Sequence, residues 1–138
     1  MTGLFIQLMS KQILNNSIYI IIPAFNETTV IKTVVEELIL AGYSIVIVDD
    51  GSEENLLAQV LVFTNTYYIR HAVNLGQGAA LQTGIEFALQ KKAKYLVTFD
   101  ADGQHSAADI PALLLPIQNN EADITLASRF LRPGHHNA

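Results

Sequence analysis

Residues 18–52 read IYIIIPAFNETTVIKTVVEELILAGYSIVIVDDGS, and this stretch decides the fold. Ile18–Ile22 is a run of β-branched and aromatic residues without polar alternation, the pattern of a strand covered on both faces. Over Thr28–Ala41 the apolar residues Val30, Ile31, Val34, Val35, Leu38 and Ile39 return at helical spacing, and Gly42 ends the run. Ser44–Val48 is a second apolar strand, running into Asp49-Asp50-Gly51-Ser52. A strand, a long helix and a second strand in that order predict a parallel pair.

The alternation continues outward from this unit. Glu53–Phe63 predicts a helix and Tyr67–Arg70 a third, short strand. Leu75–Lys92 predicts a helix with Leu81, Ile85, Phe87, Ala88 and Leu89 on its apolar side and lysines near its C-terminal end, where the helix dipole favours cations. Tyr95–Phe99 reads as a fourth strand and Asp123–Ala127 as a fifth. Between them Ser106–Gln118 predicts a helix with Ser106 as its N-cap, and Pro111 within it argues for a late start or a kink. The expected architecture is α/β: one open, mostly parallel sheet with helices on both faces. Residues 1–17 read as a leader or short helix, 18–130 as the domain and 131–138 as a tail.

Composition narrows the function classes. The chain has 138 residues, half of them hydrophobic and 15% charged, so it suits one domain with a well-filled core and excludes a disordered chain. A net charge of −5 argues against a basic groove for nucleic acid. The absence of cysteine excludes a disulfide scaffold, thiolate zinc sites and a thiol nucleophile. No run reaches the roughly 18 consecutive apolar residues that span a bilayer, which predicts a soluble or peripheral chain.

Ligands of an open parallel sheet bind beyond the carboxyl ends of its strands. The first four strands here run into Pro23-Ala24-Phe25-Asn26-Glu27, Asp49-Asp50-Gly51-Ser52, Asn74-Leu75-Gly76-Gln77-Gly78 and Asp100-Ala101-Asp102-Gly103-Gln104-His105. Polar and glycine-rich segments therefore converge on one edge of the sheet. Asp100 and Asp102, two residues apart in a loop, can both face one point, where their repulsion calls for a cation. Hard oxygen donors without Cys select Mg²⁺ or Mn²⁺, with Gln104 as a further oxygen donor; His105 reads either as a manganese ligand or as a cap on the next helix. The plain alternative is a solvated turn ending a strand. Of the adjacent acids Asp49 and Asp50, spacing does not say which turns inward. The glycines Gly76 and Gly78 open a helix, where backbone amides can approach a phosphate or where tight packing alone needs them. Asn26-Glu27 reads equally as an N-cap, Arg129 as a surface ion-pair residue or a phosphate clamp, and His71 as a packing or capping residue.

Taken together, IIPAFNE, VDDGS, NLGQGAALQTG, FDADGQH and ASRF resemble glycosyltransferase family 2 with the glycosyltransferase-A fold, most closely its dolichyl- or polyprenyl-phosphate sugar transferase branch. The motifs stand in the family's order across Ile18–Phe130. The resemblance implies a metal-dependent, inverting transfer of sugar from a UDP- or GDP-sugar to a polyprenyl phosphate or a cell-surface glycan precursor. It implies that Pro23, Ala24, Phe25 and Glu27 line the nucleotide pocket, that Asp50 reads the base, and that Gly76, Gly78, Asp100 and Ala101 meet the nucleotide-sugar. Asp100, Asp102 and Gln104 would hold Mg²⁺ or Mn²⁺, with Asp102 and Arg129 in catalytic roles and Arg129 facing the acceptor phosphate. Phe25 stands where Tyr is common, Ser52-Glu53-Glu54 replaces Ser-Thr-Asp, and Ala127 replaces a glycine. Family members continue beyond the position of Ala138 into an acceptor-binding half, so the chain is expected to be the donor-binding half. The expected location is the cytoplasm, at the inner face of the membrane, with a partner subunit or a second copy against any uncovered apolar face. Two other readings stand beside this one: a catalytically incomplete domain that binds a nucleotide or a partner, and a sugar-nucleotide nucleotidyltransferase. The second expects a basic, Gly-rich signature after the first strand, which Pro23–Glu27 lacks.

Overall fold

The computed structural model describes residues 16–60, 63–102 and 105–127. The chain divides into two compact units, one ending at Ala107 and the other beginning at Ala108. The first unit holds four strands, β1 (Ile18–Ala24), β2 (Ser44–Asp49), β3 (Thr66–Arg70) and β4 (Tyr95–Thr98). Its helices are α1 (Ile31–Leu40), α2 (Leu57–Val60) and α3 (Gln77–Gln90). The strands form one parallel sheet in the order β3-β2-β1-β4.

That order explains the sequence pattern strand by strand. The central strands β1 and β2 are the apolar runs, buried along nearly their whole length. The flanking strands are shorter and half-buried, which is where Tyr67, Tyr68, Arg70 and Tyr95 find room for polar ends. The chain steps outward from β1 to β2 to β3, then returns through α3 to β4 on the other side of β1. With right-handed crossovers, α1 and α2 lie on one face of the sheet and α3 on the other. The direction of winding reverses between β1 and β4, and a crevice opens at such a point beyond the carboxyl ends of the strands.

Helix α3 packs on Tyr19, Ile21, Val46 and Val48 through Ala80 and Ala88, with Leu81, Ile85 and Phe87 partly buried around them. Its fully inward positions are small: Ala80, Gly84 and Ala88, spaced by four. A Cβ at position 84 would lie 2.4 Å from the Ile21 Cγ2 atom and 3.1 Å from that of Val48, so glycine there lets the helix lie close on the sheet. The alternate strand residues Ile20, Ile22, Ile45 and Ile47 are buried on the opposite side, and α1 contributes Ile31, Val34, Val35 and Leu38 to the core.

The structure corrects several expectations. The helix expected over Glu53–Phe63 is confined to Leu57–Val60 among the described residues, because Asn55 takes the Leu57 N–H with its side chain and delays the start. The fifth strand expected over Asp123–Ala127 is not formed. A 3-10 turn over Ala107–Asp109 leads into α4 (Ile110–Gln118) of the second unit, with Asp109 rather than Ser106 at its N-cap. Pro111 therefore sits in the first helical turn, where its missing N–H costs nothing. Asn120, in the left-handed conformation, follows the end of α4, and the Thr125 hydroxyl donates to the Leu113 carbonyl.

Candidate functional site

Backbone hydrogen bonds carry the sheet ladder past the strand ends into the floor of a cleft. Asp50 N–H donates to the Ala24 carbonyl, His71 N–H to that of Asp49 and Phe99 N–H to that of Ile21, each at 2.8 to 2.9 Å. The segments beyond these bonds are thereby fixed by the sheet. They enclose about 480 Å³ between Pro23 and Ala24 at the end of β1, Phe25 and Glu27 after it, Asp50 after β2, and Asn74, Gly76, Gln77 and Ala80 at the entry to α3. Asp100, Ala101 and Asp102, after β4, complete the wall.

Asp49 and Asp50 are both buried, at 0% and 3% exposure, but only Asp50 lines the cleft. The Asp49 carboxylate accepts from the Tyr68 hydroxyl, from the Ser52 N–H at 2.9 Å and from Arg70 at 3.2 Å. Burial would push its pKa up; the Ser52, Tyr68 and Arg70 partners outweigh that and hold it below the ordinary carboxylate value. Conversely, burial and the adjacent Asp49 push the Tyr68 hydroxyl up to about 12. Ser52 passes the order on: its hydroxyl accepts the Asn26 N–H at 2.9 Å, and the Asn26 amide oxygen accepts the Glu53 N–H at 2.9 Å. Asn26 thus sits in a left-handed turn tied to the β2 loop, and α1 is capped by Val30 without a side-chain bond, so the N-cap reading of Asn26-Glu27 does not hold.

Asp50 is bound differently. Its Oδ1 accepts from His71 Nδ1 at 2.8 Å and from the Leu75 N–H at 2.9 Å, and its Oδ2 accepts the Gly76 N–H at 2.8 Å. Burial again acts upward on this carboxyl, and the Leu75, His71 and Gly76 donors bring it below the ordinary value. Gly51, at φ +78°, lets the two loops touch: a Cβ there would lie 2.7 Å from the Asn74 nitrogen and the Val73 carbonyl carbon.

Across the cleft, the Asp100 side chain is 44% exposed. Gln77 donates its amide to Asp100 Oδ1 at 3.2 Å, joining the first turn of α3 to the β4 loop. His105 accepts the Asp100 N–H on Nδ1 at 3.2 Å, with Nε2 3.8 Å from Asp100 Oδ2 and the ring edge-on to Phe99. The ring closes this loop on itself rather than capping the next helix. Among the described residues no group of three or more His, Asp or Glu side chains is gathered as a metal cluster. Two carboxylates on one cleft wall do fit a hard cation that takes its other ligands from water and a diphosphate.

Of the sequence-derived candidates, Pro23, Ala24, Phe25, Glu27, Asp50, Gly76, Asp100, Ala101 and Asp102 meet in this one cleft. Gly78 is not in its wall. Gln104 and Arg129 lie outside the described residues. Sequence reasoning passed over Asn74, Gln77 and Ala80 in the wall, and His71 behind it. Their signal was position alone, in or beside the glycine-rich entry to α3.

The model of the family described as Glycosyl transferase family 2 matches residues 19–137. The chain belongs to glycosyl transferase family 2. Four of the five motifs that suggested this family, those around Pro23, Asp50, Gly76 and Asp100, contribute residues to the cleft. The family member UDP-N-acetylglucosamine–dolichyl-phosphate N-acetylglucosaminyltransferase of Methanococcus voltae is 37% identical over 84% of this chain and 53% of its own length. An uncharacterized protein of Methanocaldococcus jannaschii is 37% identical over 88% of this chain and 50% of its own. Polyprenol monophosphomannose synthase of Mycolicibacterium smegmatis is 30% identical over 83% of this chain and 46% of its own. These named enzymes support the dolichyl- and polyprenyl-phosphate branch, and the chain spans about half the length of the curated relatives it matches. No helix among the described residues is long and apolar enough to cross a membrane.

Proposed function

We propose that residues 18–130 form the nucleotide-sugar-binding domain of an inverting, metal-assisted glycosyltransferase that uses a UDP- or GDP-sugar and a polyprenyl-phosphate acceptor. The observation that carries this reading is the shared cleft: Asp50, the N-terminal turn of α3 and the Asp100/Asp102 pair line one crevice at the reversal point of the sheet. Two named relatives support the acceptor class, since their names specify a dolichyl-phosphate and a polyprenol product.

Each wall has a task in this reading. Asp50, held ionised by its donors, accepts from a base N–H or a ribose hydroxyl, and Phe25, 47% exposed at the mouth, offers a flat apolar surface to the base. The N-terminal end of the 14-residue helix α3 presents backbone N–H groups and the positive end of its dipole to the diphosphate. Asp100, Asp102 and Gln104 would hold Mg²⁺ or Mn²⁺, which when bound offsets charge on the leaving diphosphate. Gln77 holds one Asp100 oxygen and so fixes the carboxylate's direction. In the transfer, an acceptor phosphate oxygen attacks the anomeric carbon from the face opposite the leaving nucleoside diphosphate. The bond from that carbon to the diphosphate oxygen breaks, and the nucleoside diphosphate leaves with its electron pair. The acceptor oxygen is already anionic, so no general base is needed, and Arg129 is assigned to the acceptor phosphate.

The test is transfer of radiolabelled sugar from UDP-N-acetylglucosamine, UDP-glucose and GDP-mannose to a short polyprenyl phosphate, with the anomeric configuration of the product read by NMR. An inverted product supports the proposal and a retained configuration rejects the mechanism. Nucleotide binding without turnover by this chain would favour a binding domain over a complete enzyme.

A further inference from the structure

We propose that His71 is a positioning residue for Asp50, holding that carboxylate in the one orientation in which its Oδ2 meets the donor nucleotide; this rests on the nucleotide-binding reading of the cleft. The argument begins with lone pairs. A carboxylate has about four acceptor sites. Asp50 spends both sites of Oδ1, on His71 and Leu75, and one site of Oδ2, on Gly76. Among the bonds of the described residues, a single acceptor site remains, on the oxygen that His71 does not touch.

Two of the three donors are backbone N–H groups, and their positions are set by the loop between β3 and α3. The third is a side chain, and it is braced in turn: His71 Nε2 meets the Thr83 hydroxyl of α3 at 2.9 Å. His71 Nδ1 must carry a proton, because the ionised carboxylate opposite it has none to give. Thr83 therefore fixes the ring plane, and the ring fixes Asp50 against the N–H groups of Leu75 and Gly76 at the entry to α3. His71 and Asp50 are nearly buried, at 10% and 4% side-chain exposure, so water does not readily substitute for a lost partner. The wall for the base and the wall for the diphosphate are joined through this histidine, although it does not itself line the cleft.

Amide substitutions separate the two bonds of the ring. Asn places an N–H near the position of Nδ1 and can keep the bond to Asp50; Gln places one near Nε2 and can keep the bond to Thr83. Calorimetric titration of UDP and GDP, with Mn²⁺ present throughout, is measured for the wild type, His71→Asn, His71→Gln, Thr83→Val and Asp50→Asn, with thermal unfolding of each followed by circular dichroism. The expected result is a loss of roughly tenfold or more in nucleotide affinity for His71→Gln, near wild-type affinity for His71→Asn, and an intermediate loss for Thr83→Val. A purely structural histidine would lower the melting temperature in both amide variants without splitting their affinities. Wild-type affinity in His71→Gln, or equal losses in the two amide variants, overturns the inference. If Asp50→Asn loses affinity while His71→Gln does not, the positioning role alone falls; a wild-type chain that binds neither nucleotide removes the cleft reading with it.

Discussion

Asp49 and Asp50 are neighbours in sequence and share no hydrogen-bond partner among the described residues. Asp49 is held by Tyr68, Ser52 and Arg70, Asp50 by His71, Leu75 and Gly76. One carboxylate anchors the loop after β1 through Ser52 and Asn26, and the other anchors the loop after β3. The two halves of the cleft are thus fastened by consecutive residues at the end of one central strand.

This fastening sets an acid limit on stability. Both carboxyls titrate below their ordinary value in the folded chain, so the folded state binds fewer protons than the unfolded one as pH falls. Their contribution is present above the unfolded carboxylate pKa, about 3.9, and is lost as pH drops through the folded values. Thermal unfolding followed from pH 7 to 2 should show melting temperature falling below about pH 4, and Asp49→Asn should start lower at neutral pH and lose less of it on acidification. An acid limb as steep in Asp49→Asn as in the wild type would count against this anchor.

The Tyr68 hydroxyl gives the opposite limb. Its pKa is raised to about 12, so its contribution is complete below the unfolded tyrosine value near 10 and is lost as pH rises from there through about 12. Burial raises Tyr19 and Tyr43 as well, so ultraviolet titration at 295 nm should find several late-ionising tyrosines, and Tyr68→Phe should remove the component near pH 12. If every tyrosine ionises near pH 10, the Tyr68–Asp49 bond is not made in solution.

Two glycines carry packing rather than chemistry. Gly84→Ala drives a methyl against Ile21 and Val48, side chains that can shift, and should cost about 1–3 kcal/mol by urea unfolding. Gly51→Ala meets backbone atoms at 2.7 Å with φ at +78°, and should cost more than Gly84→Ala. The reverse order of the two would contradict the loop contact described here.

Much of this architecture was legible in the chain. Ile18–Ile22 and Ser44–Val48 are uniformly apolar because β1 and β2 are central, and four polar segments at strand ends marked the cleft. Other features were hidden for physical reasons. The buried stripe of α3 is Ala80, Gly84 and Ala88, small residues whose burial comes from close approach and not from hydrophobic bulk, so the sequence pattern showed the larger Leu81 and Ile85, partly buried beside that stripe, and the exposed Leu89, but not Ala80 and Gly84. The alternating polarity of Asp123–Ala127 matches a strand, but the segment pairs with no strand among the described residues. His71 gave no signal because its partners, Asp50 and Thr83, are 21 and 12 residues away in sequence.

The Asp100 and Asp102 side chains belong to an exposed loop, so their removal should spare the fold while changing the chemistry. Asp100→Asn and Gln77→Ala should leave the melting temperature within about 2 °C of the wild type, since each alters a surface site. Asp100→Asn should weaken Mn²⁺-dependent UDP or GDP binding at least about tenfold, and Gln77→Ala less. A collapse of stability in either variant would assign these residues to structure instead.

The most direct measurement is calorimetric titration of UDP and GDP into the wild type and Asp102→Ala, each with Mn²⁺ and with EDTA. The account predicts that one nucleotide binds the wild type with Mn²⁺, and that EDTA and Asp102→Ala each abolish most of that affinity without adding to one another. Nucleotide binding in EDTA and in Asp102→Ala as strong as that of the wild type with Mn²⁺ would contradict it.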